Sequence, residues 1–329
     1  MRTVVVGCGN HGGETLLPAA CSAGISIAAL VDQNLDRARQ LAELWMIPQV
    51  YGSVENLDPR TFDAAILALP VTEQAAHTSW ALSHHLHTFV EKPPAPHPAR
   101  LHELVEQSRA ASVVCCVGMN YRWAEGVLRL LAALECGHYG TVSYARVEHI
   151  ARKPIEPFGS DLSLEASLFA AQGIHAIDLG QLLLPDKATV SGQMVEVRRG
   201  RLCAMVAEGQ DSPTRLEVQF GSCAAAFSHH VEVITSHGDI LQLRNLAELV
   251  HLPNGADPHV SEYPGARVLW RSSPTTVGYA SAGYGPELDA FRSTVGGGQA
   301  PRLATLEDLL PVYDAFGALL DAEGLPWTA

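Results

Sequence analysis

The sequence predicts a two-domain protein: a doubly wound parallel α/β sheet over residues 1–120, then an α+β domain over residues 121–329 with an open, largely antiparallel sheet. Three observations carry that expectation. A short apolar run breaks at a glycine turn, and a helix-like segment and a second apolar run ending in an acid follow. Strand-like and helix-like segments then alternate up to about residue 120, the pattern that right-handed crossovers turn into a parallel sheet covered on both faces. Beyond residue 121, strand-like runs succeed one another without long helices between them, which favours antiparallel pairing.

The elements follow in order. Residues 3–6, TVVV, read as a strand that runs straight into Gly7-Cys-Gly-Asn-His-Gly12. ETLLPAACSAG reads as a helix despite its proline, and ISIAALVD as a second strand ending at Asp32. This is the dinucleotide-binding fingerprint of a Rossmann sheet in its full strand–turn–helix–strand context, with the acid 20 residues beyond the third glycine. Gly7 permits the tight turn and Gly9 lets the backbone approach a pyrophosphate. Gly12 lets the helix pack close to the strand, so that its N-terminal amides face the anion. Asp32 suits the hydrogen-bond donors of a ribose 2′-hydroxyl and repels a 2′-phosphate. NAD is therefore favoured, while Arg37 and Arg39 keep NADP open. NLDRARQLAELW and EQAAHTSWALSHH read as helices, FDAAILALP and HTFVEKP as strands. Ligands of such sheets bind beyond the carboxyl ends of the strands, where Glu91 and Lys92 of FVEKPP fall.

In the second part, AEGVLRLLAALECG reads as an amphipathic helix and TVSYARVEHI as a strand. The runs ATVSGQMVEVRR, RLCAMVAEG, RLEVQFG, SCAAAFSHHVEVITS and DILQLR read as further strands. The closing LATLEDLLPVYDAFGALLDA reads as an amphipathic helix that packs back near the first domain.

Bulk properties exclude several function classes. With 47% apolar and 17% charged residues the composition is that of a soluble globular protein. A formal net charge of −13 argues against a nucleic-acid partner, which needs a basic face. No apolar run reaches the roughly 18 residues of a membrane span, and MRTVVVGCGN lacks the pattern of a secretory signal. The seven cysteines are odd in number and lack metal or disulfide spacing, so reduced thiols and a cytoplasmic location are expected. The HHLH cluster (His84, His85, His87) has metal-like composition but falls where a helix gives way to a turn, so no metal is assigned.

Taken together, VVVGCGNHG, ALPVTEQAAH, HTFVEKP, VGMNYRW, GIHAIDLGQLL, the later FGSCAAAF…VITSHGDILQL and the closing YGPELDAF resemble the Gfo/Idh/MocA oxidoreductase family, that of glucose–fructose oxidoreductase and inositol dehydrogenase. Each motif is weak alone; their order across nearly the whole chain is specific. The resemblance implies that Lys92 hydrogen-bonds the substrate oxygen and helps move its proton, that Glu91 places Lys92 or the cofactor, and that the Lys92–Pro93 peptide is cis. It puts Asn10 and His11 of the glycine turn, with Leu69, Pro70 and His77 of ALPVTEQAAH, at the cofactor. Tyr121, Arg122 and Trp123 open the second domain and reach for substrate; Arg122 matches a family arginine, with an interdomain ion pair as its competing role. Arg152, beside Lys153, is a candidate for a substrate anion against the plainer reading of a solvated loop, and Tyr284 a candidate pocket wall. Sugars, cyclitols or their amino derivatives are the implied substrates. A homodimer or homotetramer through the C-terminal sheet is the implied assembly, since an apolar outer face would have to be covered.

His175 is the central question of GIHAIDLGQLL. On a helix, residues 171 and 175 share a face and 175 neighbours 178. An imidazole titrating near pH 6.5 suits proton exchange at neutral pH, against the alternative of a buried helix histidine. The family commonly places an aspartate four residues before this histidine, where this sequence has Ala171. Asp178 is the substitute orienter, or else a helix-surface acid. The resulting expectation is an NAD(P)-dependent oxidoreductase in which Lys92 and His175 handle the proton. Its rivals are an imine reductase in a biosynthetic pathway, a non-catalytic NAD-binding sensor or scaffold, and redox-neutral chemistry on a permanently bound NAD.

Overall fold

A computed structural model describes residues 1–184, 188–197, 200–209, 214–255, 265–276 and 281–328. The chain forms two compact units, Met1–Trp123 with Gly278–Leu310, and Ala124–Val277 with Pro311–Ala329. The expected boundary at 120/121 thus falls after Trp123, and Tyr121, Arg122 and Trp123 belong to the first unit instead of opening the second. The first unit is also completed by a later segment of the chain.

The first unit is built on β1 (Arg2–Val6), β2 (Ser26–Val31), β3 (Gln49–Tyr51), β4 (Ala64–Leu67), β5 (His87–Glu91) and β6 (Cys115–Gly118). They form one sheet in the order β3-β2-β1-β4-β5-β6, with every neighbouring pair parallel. Strand order reverses between β1 and β4, which opens the crevice that doubly wound sheets use for dinucleotides. The near-continuous apolar strands read from the sequence are buried on both faces, as parallel strands must be. Connecting them are α1 (Leu17–Ser22), α2 (Leu35–Trp45), α3 (Val71–Ser83) and α4 (Pro98–Ala111). Helix α8 (Tyr284–Val295) returns from late in the chain and joins this core through Leu288 and Phe291. The Phe291 ring meets Phe89 of β5 edge-on at 5.9 Å. Burying each such ring contributes roughly 1.5–3 kcal/mol.

The second unit holds α5 (Glu125–Glu135), β7 (Val142–Ile150), α6 (Leu164–Leu168) and α7 (Ile174–Leu183). Its remaining strands are β8 (Ala188–Val197), β9 (Gly200–Gly209), β10 (Arg215–Gly221), β11 (Ser228–Thr235), β12 (Ile240–Arg244), β13 (Glu248–Leu252) and β14 (Arg267–Arg271). The eight strands pair in the order β14-β13-β12-β11-β7-β10-β9-β8. All pairs are antiparallel except β10 with β7, so the expected open, largely antiparallel sheet is a mixed one. Helix α9 (Leu310–Glu323) lies in this unit, where Phe316 stacks on Phe169 at 4.8 Å and Tyr313 on Trp327 at 5.8 Å. The closing segment divides: Leu303 packs in the first core, while α9 carries the aromatic face that fills the second.

Strand alternation separates the two faces of this sheet. On β7, Ala145, Val147 and His149 are buried, while Tyr144, Arg146 and Glu148 point the other way. That outward face is a polar lattice: Arg146 donates to Gln219 at 2.9 Å and pairs with Glu148 at 3.2 Å, Tyr144 donates to Glu217 at 3.0 Å, and Gln242 to Glu232 at 2.7 Å. On the helix side the fit is close. A Cβ on Gly173 would sit 2.7 Å from the Phe220 ring, so only glycine lets this chain segment lie against β10.

Among the described residues no helix is long and apolar enough to cross a membrane. The imidazoles of HHLH take separate partners: His84 lies 2.7 Å from the Trp80 carbonyl, His85 3.2 Å from that of Ala111, and His87 accepts from the Val114 amide at 3.1 Å. The seven cysteines are free thiols, with Cys8, Cys115, Cys116 and Cys203 buried.

Candidate cofactor and active site

The glycine turn is shaped by what cannot fit. Gly7 adopts φ +97°, and its amide donates to the Val31 carbonyl at 2.9 Å. A Cβ there would stand 2.2 Å from the Ala68 carbonyl oxygen at the end of β4, and one on Gly12 would stand 2.1 Å from the Gly7 oxygen. Around Gly9, by contrast, a Cβ would meet nothing within 4 Å. The loop is compressed against the sheet on one side and open on the other, as a diphosphate cradle requires. The residues present therefore fit a dinucleotide. The chain leaves the turn through one wide π-helical turn, Gly12–Leu16, before α1 begins, where the sequence suggested a plain helix. Asn10 and His11 are exposed at the start of this turn.

Asp32 is fixed at the end of β2. One carboxylate oxygen accepts the Cys8 amide at 2.6 Å and the other the Asn34 amide at 2.7 Å. Arg37, from the first turn of α2, reaches back to the glycine turn: Nε donates to the Cys8 carbonyl at 3.3 Å and Nη2 to Glu14 at 2.9 Å. Arg39 pairs with Asp36 at 3.5 Å.

At the crevice between β4 and β5, Gln74 ties two strand ends. Its Oε1 accepts the Leu69 amide at 3.2 Å, and its Nε2 donates to the Glu91 carbonyl at 2.7 Å. Pro70 follows Leu69 and caps the start of α3, and His77 lies along that helix with Nδ1 3.0 Å from the Glu73 carbonyl. The Glu91 carboxylate is buried, with its Oε1 3.3 Å from His11 Nε2. Gly118 backs it so closely that a Cβ would stand 2.8 Å from that oxygen. The Lys92–Pro93 peptide is cis. Burial pushes the Lys92 amine below the usual lysine range, and the neighbouring Glu91 charge opposes that shift. The His11 ring meets Tyr284 edge-on at 5.4 Å. Burial above all, then the charge of Glu91, raises the Tyr284 phenol, so it stays a hydroxyl donor; burial does the same for Tyr121. Tyr121, Arg122 and Trp123 lie in a short 3₁₀ turn, Asn120–Trp123, which Asn120 anchors by donating to the Ala282 carbonyl at 2.7 Å. Arg122 is buried and Trp123 packs on the first core.

In the second unit a π-helical turn, Phe169–Gly173, separates α6 from α7 directly before His175. Such wide turns are frequent at functional sites. His175 is 4% exposed and Asp178 1%, so Asp178 is no helix-surface acid. The ring next to His175 belongs to His149 of β7, at 6.3 Å between centroids; His149 in turn lies 5.3 Å from His229 and 5.4 Å from Phe227. His149 and His229 are cross-strand partners. Burial pushes His229 down to about 3, with the nearby His230 adding to the shift, so it is neutral at physiological pH. Sequence reasoning missed both residues. The signal was there: each takes an inward position in an otherwise apolar alternation, His149 after Ala145 and Val147, His229 before Val231 and Val233. Arg152 is exposed in the loop after β7, next to a second cis peptide, Lys153–Pro154.

A parallel sheet in this strand order, with a glycine cradle and an acid closing β2, defines a dinucleotide-binding Rossmann domain. Residues 1–119 match the Gfo/Idh/MocA oxidoreductase family, NAD-binding Rossmann fold. It is 24% identical to D-apiose dehydrogenase of Rhizobium rhizogenes over 201 residues, 60% of this chain and 58% of that one. The chain thus matches somewhat over half the length of this curated relative. In fold it is similar to a dehydrogenase from Chromobacterium violaceum, with a TM-score of 0.87 at 24% identity, covering 98% of this chain and 94% of the other. It is similar as well to levoglucosan dehydrogenase in complex with NADH, with a TM-score of 0.82 at 15% identity, covering 98% and 97%.

Proposed function

We propose that the protein transfers hydride between a nicotinamide and an oxygen-bearing carbon of a sugar- or cyclitol-like molecule, with Lys92 and His175 handling the proton and NAD preferred to NADP. The observation that carries this reading is Lys92 itself. It ends the strand next to the switch point, its amine is desolvated, and a buried carboxylate precedes it. Desolvation brings an amine closer to the pH at which it can both give and take a proton. When bound, the cofactor supplies the hydride acceptor or donor. In the oxidative direction the substrate C–H hydrogen leaves with its electron pair and the hydroxyl proton passes to Lys92 or His175, leaving a carbonyl. The D-apiose and levoglucosan enzymes support a carbohydrate-like substrate. Asp32, at the end of β2 with its oxygens held by the Cys8 and Asn34 amides, would face a bound ribose and supports NAD.

The test is turnover on a panel of pentoses, anhydrosugars and cyclitols, with Lys92→Met and His175→Asn beside the wild type. Each variant should lose about 10²- to 10⁴-fold in kcat while NADH affinity, read by fluorescence, moves far less. Unchanged kcat in Lys92→Met removes Lys92 from the mechanism. A second reading, reduction of a cyclic imine, is favoured by one feature: Ala171 stands where the resembled family commonly places an aspartate before His175. An electrophile that takes hydride readily needs less help from a proton relay, and robust polyol turnover with no imine reduction excludes this reading.

A further inference from the structure

The role of Arg37 is open on sequence grounds, because a guanidinium one turn beyond the end of β2 is what a 2′-phosphate would recruit. The structure places it elsewhere. Arg37 Nε and Nη2 are drawn across the glycine turn onto the Cys8 carbonyl and the Glu14 carboxylate, and its ion pair is with Glu14 although Asp32 also borders Cys8. Arg37 passes beside Gly13, where a Cβ would stand 3.5 Å from Arg37 Nη2, an ordinary contact, and 2.7 Å from Leu41 Cδ1. The Cys8 thiol reports the same neighbourhood. Burial and the Asp32 charge push it up to about 12, and Arg37 opposes them.

We infer that Glu14 and Arg37 form a latch that selects NAD over NADP: with Arg37 drawn to Glu14, the adenosine end of the site presents the Asp32 carboxylate, and not a guanidinium, to the ribose 2′ position. Glu14 acts as a positioning residue, without touching the coenzyme, by occupying the cation that a 2′-phosphate would need. The inference rests on the proposed preference for NAD and adds a second device to it. Asp32 repels the phosphate directly, while Glu14 withholds its counter-charge. The pair is partly exposed, with side-chain exposures of 32% for Arg37 and 63% for Glu14. Its effect is accordingly modest, because such pairs hold by about 0.2–1 kcal/mol, or roughly 1.4- to 5-fold in a binding constant.

The experiment is a set of equilibrium titrations with NADH and with NADPH, read by coenzyme fluorescence at one fixed ionic strength, on the full-length wild type, Glu14→Gln, Arg37→Ala and the double variant. Glu14→Gln should tighten NADPH by about 2- to 5-fold and move NADH by less than about twofold, which also reports an intact fold. The gain should vanish in Glu14→Gln/Arg37→Ala, because a freed Arg37 is what produces it. Arg37→Ala alone should leave NADPH nearly unchanged. The latch is overturned if Glu14→Gln leaves the NADPH-to-NADH ratio where it was, if its gain survives loss of Arg37, or if Arg37→Ala weakens NADPH equally with and without Glu14. In each of those cases a wild type that binds NADH more tightly keeps the proposed preference, and only the latch falls. A wild type that binds NADPH as tightly as NADH overturns both.

Discussion

Replacing Gly173 with alanine tests whether the seating of α7 on the sheet controls the position of His175. The added methyl would lie 2.7, 2.9 and 3.1 Å from three carbons of the Phe220 ring. Carbon pairs at rest stand about 3.5–4.0 Å apart, so the deficit is about 1 Å at the nearest atom. Phe220 cannot yield cheaply: it is fully buried and packs on Phe316 at 5.9 Å between ring centres. The helix start must shift instead, and His175 lies two residues further on. Overpacking of this kind costs about 1–3 kcal/mol, and about 1 Å of misplacement of a catalytic group costs on the order of 10²-fold in rate. Urea unfolding should show the loss in midpoint at unchanged slope. Turnover on the best substrate of the panel should fall with NADH affinity unchanged. Phe220→Leu, which removes the ring edge, should recover part of both losses in the double variant, with a coupling of about 1 kcal/mol or more. If Gly173→Ala has wild-type stability and turnover, or the two substitutions simply add, α7 is not held by this contact.

Two further outcomes follow from the same geometry. The folded chain keeps His229 neutral down to about pH 3, whereas the unfolded chain's imidazole titrates near 6.5. The unfolded state therefore binds the additional proton between those values. This contribution is complete above about pH 6.5 and falls by roughly 1.4 kcal/mol per pH unit as pH drops through the window. Urea midpoints at pH 7 and pH 5 should register about 2 kcal/mol of it in the wild type and lose it in His229→Gln; equal pH dependence in the two proteins contradicts a neutral buried ring. Gly12→Ala, whose Cβ would lie 2.1 Å from the Gly7 oxygen, should abolish measurable NADH binding. NADH binding at wild-type strength would show that the glycine turn is not the cradle.

What could be read from the sequence follows from how locally each feature is specified. The span from Gly7 to Asp32 encodes its own turn, helix and acid in one continuous stretch, and the structure places those residues as the spacing implied. The end of β5 was legible for the same reason. Strands β3 and β6, three and four residues long, are too short to show a period. The π-helical turns after Gly12 and before His175 escaped as well, since apolar spacing does not distinguish them from α-helix. Non-local features were harder still. His149 lies beside His175, and His229 beside His149 through the pairing of β7 with β11, which no local motif announces. The assignment of α9 to the second unit depends on which aromatic cluster accepts Phe316, a choice settled by the packed core.

The Gln74 amide has a wider consequence than its two hydrogen bonds suggest. By holding the Leu69 amide with one end and the Glu91 carbonyl with the other, it makes the two lips of the crevice a single frame. The backbone at Leu69 and the backbone that leads into Lys92 are therefore tied to one side chain. A change at position 74 would misregister both lips at once.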